Sequence, residues 1–192
     1  MFADRITTVS SSYAEEIKDP FYGEGLDWLL RNRADVLSGI VNGIDVKAYD
    51  PKTDRDIVKN YDAKAFIKAK EANKLALQEE LGLVRDPKKF MMVLVSRLTD
   101  QKGLDLVECV MEQICEYDLQ FVILGTGDRR YEDSFRYFEN AHKGQVSSNI
   151  MYSDMRAHRK YASGDAVLMP SLFEPCGLTQ LIGLRYGCLP IV

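Results

Sequence analysis

From residue 90 onward the hydrophobic positions fall in short, nearly continuous runs separated by amphipathic stretches. Phe90-Met91-Met92-Val93-Leu94-Val95, Leu119-Gln120-Phe121-Val122-Ile123-Leu124, Asn149-Ile150-Met151-Tyr152, Ala166-Val167-Leu168-Met169 and Leu189-Pro190-Ile191-Val192 read as strands. Continuous apolar runs, rather than alternating ones, suit strands covered on both faces. Between them, residues 104–117, 130–143, 155–163 and 178–186 read as helices. Strand–helix alternation at this spacing implies right-handed βαβ units. The expected class is therefore α/β, a Rossmann-like parallel sheet with helices on both faces.

The first half is less regular. Residues 64–81 have high helix propensity, with Ala65, Ala69, Ala72, Ala76 and Glu80, and Gly82 stands where a C-cap belongs. Phe66, Leu75, Leu77 and Leu81 read as that helix's core stripe, and Tyr49 to Tyr61, polar with Asp50-Pro51, as a surface loop. Residues 5–9 form a β-branched strand with no evident partner in roughly the next forty residues. Ser10-Ser11-Ser12 offer N-caps for a helix over 13–17, and 26–32 reads as another short helix. Residues 1–41 read as the tail of one domain with its crossover, and 42–192 as a second domain. Both ends read as cuts through a larger protein.

Composition narrows the function. The 192 residues are 46% hydrophobic, enough for a core, and the net charge of −4 speaks against a general nucleic-acid binder. Any phosphate site must then be a local basic cluster. There is no apolar signal core at the start and no run near the roughly 18 apolar residues of a membrane span, so no membrane partner is expected. Cys109, Cys115, Cys176 and Cys188 form no Cys-x-x-Cys pair and no metal-like spacing with His142 or His158, which fits a reduced cytoplasm. Cys109 and Cys115, on one expected helix, read as small buried hydrophobes. The two histidines read as packing or capping residues.

The candidate chemistry sits in the strand-to-helix loops, which in an open α/β sheet line the ligand-binding edge. In Ser96-Arg97-Leu98-Thr99-Asp100-Gln101-Lys102-Gly103, Arg97 ends a strand and Lys102 precedes a helix. They suit a two-oxygen fork and a point charge on one diphosphate, or else are two solvated surface cations. Gly125-Thr126-Gly127 follows the next strand without a Gly-x-Gly-x-x-Gly, which removes the fingerprint of a nicotinamide dehydrogenase. Tyr152 is either a platform for a nucleobase or an ordinary half-buried tyrosine. In Pro170 to Gln180, the backbone N–H groups of Gly177, Leu178 and Thr179 are the donors of a helix N-terminus, able to hold a phosphate. Glu174 would repel that phosphate and suits sugar hydroxyls instead. Cys176 has a nucleophile reading that lacks a placed histidine base. Asn42-Gly43 reads as a turn needing positive φ, as a sugar contact, or as both.

Phe173-Glu174-Pro175-Cys176-Gly177-Leu178-Thr179-Gln180 resembles the nucleotide-sugar loop of bacterial glycogen synthases and plant starch synthases. Val9 to Ile17, Leu37 to Asp45 and the Arg97…Lys102-Gly103 pattern resemble other segments of that family in order and spacing. The resemblance implies a GT-B glycosyltransferase fold, here its C-terminal domain with a short N-terminal-domain remnant. It implies glucose transfer from ADP-glucose to the non-reducing end of an α-1,4-glucan, with retention. Arg97, Lys102 and Glu174 would then be the catalytic set, the two cations stabilising the diphosphate leaving group. Asn42, Gly125, Gly127, Tyr152, Cys176, Gly177, Leu178 and Thr179 would bind the donor, Tyr152 stacking on adenine. A second glutamate found in many retaining relatives is Ile182 here, as the synthases' lack of it implies. No metal or cofactor is expected, and no Asp-x-Asp metal loop is read. The chain is expected to bind ADP and ADP-glucose without catalysing transfer, in the cytoplasm or, for a plant, the plastid. The alternatives are a related retaining transferase with another donor or acceptor, and a non-enzymatic nucleotide-binding module.

Overall fold

The computed structural model describes residues 3–192. It divides into two compact units, each described by itself. The first runs to Ile44 and includes Phe173–Leu178; the second comprises Asp45–Leu172 and Thr179–Val192.

In the first unit, strand β1 (Ile6–Thr8) pairs in parallel with β2 (Leu37–Gly39), which corrects the expectation of no nearby partner. A parallel partner must follow a crossover, and β2, at three residues, is too short to announce itself. Helices α1 (Ser11–Glu16) and α2 (Asp27–Asn32) fill that crossover. Ser10 caps α1, its Oγ accepting the Tyr13 N–H at 3.1 Å. Neither Asn42 nor Gly43 adopts a positive φ; they lie in a stretch without regular structure, so the turn reading of this pair does not hold.

The second unit begins with an irregular segment and then α3 (Phe66–Leu81). There follow β3 (Phe90–Val95), a 3-10 turn (Asp100–Lys102), α4 (Leu104–Glu116), β4 (Leu119–Gly125), α5 (Arg129–Ala141), β5 (Val146–Ile150), α6 (Asp154–Ser163), β6 (Ala166–Leu168), α7 (Leu178–Arg185) and β7 (Leu189–Ile191). The five strands are all parallel in the order β5-β4-β3-β6-β7. Met91 and Val93 of β3 face one core, with Leu77, Tyr161 and Tyr186; Met92 and Leu94 face the other, with Val107, Met111 and Phe135. The strand pleat thus supplies a separate core to each helical layer. Among the described residues no helix is long and apolar enough to cross a membrane.

Four details depart from the sequence pattern. β5 starts at Val146, not Asn149, because its polar Ser147 and Asn149 are buried. The segment 49–61 is no mere surface loop: Asp54, Ile57 and Tyr61 are buried. Cys109 is exposed. The inward face of α3 is Ala69, Lys70, Asn73, Lys74, Leu77 and Gln78, while Phe66 is exposed. Those amines are satisfied locally. Lys70 Nζ donates to the carbonyls of Tyr161, Ala162 and Tyr186 at 3.1–3.2 Å, and Lys74 Nζ to Asp165 Oδ2 at 2.6 Å. The three carbonyls belong to the last turn of α6 and the residue just past α7, where helices leave acceptors unpaired. Burial lowers the Lys70 amine to about 8.

Candidate functional site

The strand order reverses direction at β3: β4 and β5 lie to one side, β6 and β7 to the other. Such a switch leaves a crevice at the carboxyl ends of the strands. The loops after β3 and β6 meet there, where the Leu172 N–H donates to the Gln101 carbonyl at 2.9 Å. Gly103 permits the approach. Its φ is +61°, and a Cβ on it would stand 1.8 Å from the Pro170 carbonyl oxygen.

The loops after β3 and β4 are joined just as closely. Leu98 N–H donates to Thr126 O at 2.9 Å, Asp128 N–H to Leu98 O at 2.7 Å, and Leu98 bridges Gly127. A Cβ on Gly125 would come within 1.9 Å of Ser96 O, and one on Gly127 within 2.2 Å of Leu98 O. These glycines serve backbone contact between two loops. They also leave Arg97 at the rim of the space those loops enclose.

That space is a cavity of about 230 Å³ whose lining includes Tyr49, Arg97, Gly125, Thr126, Tyr152 and Asp154. Tyr152 lies two residues past β5 and is 83% exposed, which excludes the half-buried reading. Its phenol donates to Asp154 Oδ1 at 2.9 Å, and this hydrogen bond raises its pKa. Desolvation, then the Asp154 charge, raise the Tyr49 phenol as well. Tyr161 and Ile182 form part of the lining, and Thr179 shares a hydrogen bond with the Tyr161 phenol. A larger groove of about 470 Å³, bordered by Pro51, Tyr61, Phe66 and Leu184, holds none of the expected residues. Its arginine, Arg185, is paired with Asp50 at 3.3 Å. The smaller cavity is the better candidate because Arg97, Tyr152 and the close-packed Gly125 all line it.

The structure thus brings Arg97, Gly125 and Tyr152 to one cavity, with Gly127 and Thr179 one residue or one hydrogen bond away. Lys102 closes the 3-10 turn, next to the Gln101 carbonyl that holds Leu172. In the first unit, Asn42, Glu174, Cys176, Gly177 and Leu178 form a second group. Cys176 Sγ lies 3.9 Å from the Asn42 carbonyl oxygen, Phe173 packs against Tyr13 and Tyr22, and Gly177 has φ +70°.

Sequence reasoning missed Tyr49 and Asp154. An aromatic directly before Asp-Pro, and an acid opening a helix, were the available signals. It also missed an Asp-x-Asp: Asp54-Arg55-Asp56 is one, and folding brings both carboxylates to His158. Asp54 and His158 are committed to one another and to Tyr186. Asp54 Oδ2 is 2.7 Å from His158 Nδ1 and accepts the Tyr186 hydroxyl at 2.5 Å, while Oδ1 accepts the Asp56 N–H at 2.8 Å. Both oxygens of this carboxylate are thus already engaged within the protein. His158 is buried and stacks on Tyr49, and His142 pairs with Glu112 at 3.1 Å, so both histidines pack as expected.

Residues 79–192 match the family described as glycosyl transferases group 1, and residues 1–32 match the starch synthase catalytic domain. Over its whole length the chain is 62% identical to a glycogen synthase of Lachnospira eligens and 59% identical to one of Lachnoclostridium phytofermentans. It spans 40% of the length of each. Among solved structures it is similar to the catalytic domain of starch synthase IV from Arabidopsis thaliana, bound to ADP and acarbose. There the TM-score is 0.91 and the identity 35%, over 98% of this chain and 39% of that one. The parallel sheet with helices on both faces is that of a GT-B glycosyltransferase.

Proposed function

This chain belongs to the group 1 glycosyl transferases, and we propose that it is the nucleotide-sugar side of a glycogen or starch synthase. The reaction is transfer of glucose from ADP-glucose to the non-reducing end of an α-1,4-glucan, with retention of the anomeric configuration. The observation that carries this reading is the cavity at the carboxyl ends of β3, β4 and β5, with Arg97 and Tyr152 in one lining. An arginine fork neutralises a diphosphate, and an exposed tyrosine beside it offers a face to the base. Lys102 adds the second charge on the leaving group, whose stabilisation lowers the barrier to glycosidic cleavage. In the first unit, taken by itself, Glu174 with Asn42 suits sugar hydroxyls and the backbone N–H groups of Gly177 and Leu178 suit a phosphate.

The names of the relatives support the acceptor and product, and the ADP and acarbose bound to the Arabidopsis enzyme support the ligand classes. Nothing in the proposed chemistry calls for a metal or cofactor: the cations that meet the leaving group are side chains. The bacterial relatives support cytoplasmic residence as part of this reading. The test is transfer of labelled glucose to glycogen by an enzyme of the relatives' full length carrying this sequence, with ADP-glucose and UDP-glucose in competition. Preferential incorporation from ADP-glucose is expected. Incorporation from UDP-glucose alone, or none from either, would overturn the reading.

A further inference from the structure

The segment 45–65 contains no helix or strand, yet it carries a buried carboxylate into the protein. Asp54 is 7% exposed and meets His158 of α6 and Tyr186 just beyond α7. Tyr186 Oη also lies 3.1 Å from His158 Nδ1, so the three side chains form one closed network. Burying such groups is costly, and an apolar cluster would hold a loop at least as firmly. What the network does specifically is fix the orientation of an imidazole. On that imidazole lies the Tyr49 ring, centroid to centroid 4.8 Å, with the planes 24° apart.

The backbone of Tyr49 is fixed as well. Its N–H donates to Asp45 O at 2.9 Å, and its carbonyl accepts Arg185 Nε at 3.1 Å. A ring held through both backbone and side chain then lines the same cavity as Tyr152. The two phenols share one charged neighbour: Tyr152 hydrogen-bonds Asp154, and the Asp154 charge acts on Tyr49. Two aromatics and a carboxylate thus line one cavity, together with Arg97.

We propose that Tyr49 is a second aromatic wall of the nucleobase subsite, and that Asp54, His158 and Tyr186 are positioning residues that hold its ring. This rests on the reading of the cavity as an ADP site. Recognition is of a flat heteroaromatic base, with the diphosphate held independently by Arg97 and Lys102. Base-bearing and base-free ligands therefore separate this proposal from a structural role.

The experiment is calorimetric titration of the chain with ADP and with pyrophosphate, together with a thermal melt of each variant. Tyr49→Leu is expected to weaken ADP roughly three- to tenfold and leave pyrophosphate unchanged. Tyr49→Trp keeps the packing and is expected to bind ADP at least as well as the unsubstituted chain. His158→Gln keeps a partner for Asp54 but removes the stack, so it too should weaken ADP alone; His158→Phe, restoring a ring under Tyr49, should recover most of that loss. If the unsubstituted chain binds no ADP, the functional reading falls and this proposal with it. If it binds ADP and Tyr49→Leu does so equally, or a normally melting Tyr49→Trp binds it more weakly, the wall is overturned while the functional reading stands. His158→Gln weakening both ligands in step with a lowered melting temperature would overturn the positioning role.

Discussion

Tyr152→Ala separates recognition from stability cleanly, because the tyrosine does so little for the folded chain. Its side chain is 83% exposed, and its one hydrogen bond runs to exposed Asp154. Removing it takes no buried apolar surface from the core and leaves no buried group unpaired. Exposed substitutions of this kind change stability by about 0.5 kcal/mol or less, roughly 2 °C for a chain of this size. Stacking on a base is another matter. Alanine substitution of such a platform costs about 1–3 kcal/mol per base, or roughly five- to 150-fold in affinity. The expected result is therefore an almost unchanged melting curve, a large loss for ADP and no loss for pyrophosphate. Calorimetric titration of both ligands at one salt concentration measures it. Equal losses for ADP and pyrophosphate would refute the reasoning, since a platform cannot act on a ligand that has no base.

Two further expectations concern the chain as a whole. Lys70 and Lys160 are each lowered by burial to about 8, so the stability linked to them is fully present above their ordinary 10.5 and lost as pH falls through 8. Urea unfolding should thus show stability rising between about pH 8 and 9, a rise that Lys70→Met reduces, before ionisation of Cys188 in the unfolded chain, against a folded value of about 12, opposes it; a falling midpoint across that window would contradict this. A polypeptide of these 192 residues alone should incorporate no glucose from ADP-glucose into glycogen, because it spans 40% of its relatives' length and transfer needs donor and acceptor oriented against each other. Label above the no-enzyme blank would place all the catalytic groups within it.

Much of the second unit was legible because parallel strands covered on both faces leave unmistakable apolar runs. β3 and β4 are written that way, and their carboxyl ends carry Arg97 and Gly125 to the cavity, with Gly127 two residues on. β5 was misplaced for the converse reason: its buried residues Ser147 and Asn149 are polar, satisfied by contacts that only folding creates. The same applies to α3, expected to turn Phe66, Leu75, Leu77 and Leu81 inward: its inward face carries two lysines, and the carbonyls of α6 and the residue after α7 that satisfy Lys70 come together only on folding. Tyr49 was hidden most completely. It lies in a segment without periodicity, and its place in the cavity depends on Asp54, His158 and Tyr186, the last two more than a hundred residues away. No local pattern encodes such a contact.

The central claim is that a nucleoside diphosphate is held by the loop after β3, through Arg97 in the cavity lining and Lys102 at the end of the 3-10 turn. Calorimetric titration of the chain with ADP, repeated with Arg97→Ala and with Lys102→Ala at the same salt concentration, tests it most directly. Charge-assisted hydrogen bonds of about 1.5–3 kcal/mol predict one-to-one binding that each substitution weakens roughly ten- to hundredfold. Absence of binding, or the same affinity in both variants as in the unsubstituted chain, would contradict the account and leave Arg97 and Lys102 as surface charge.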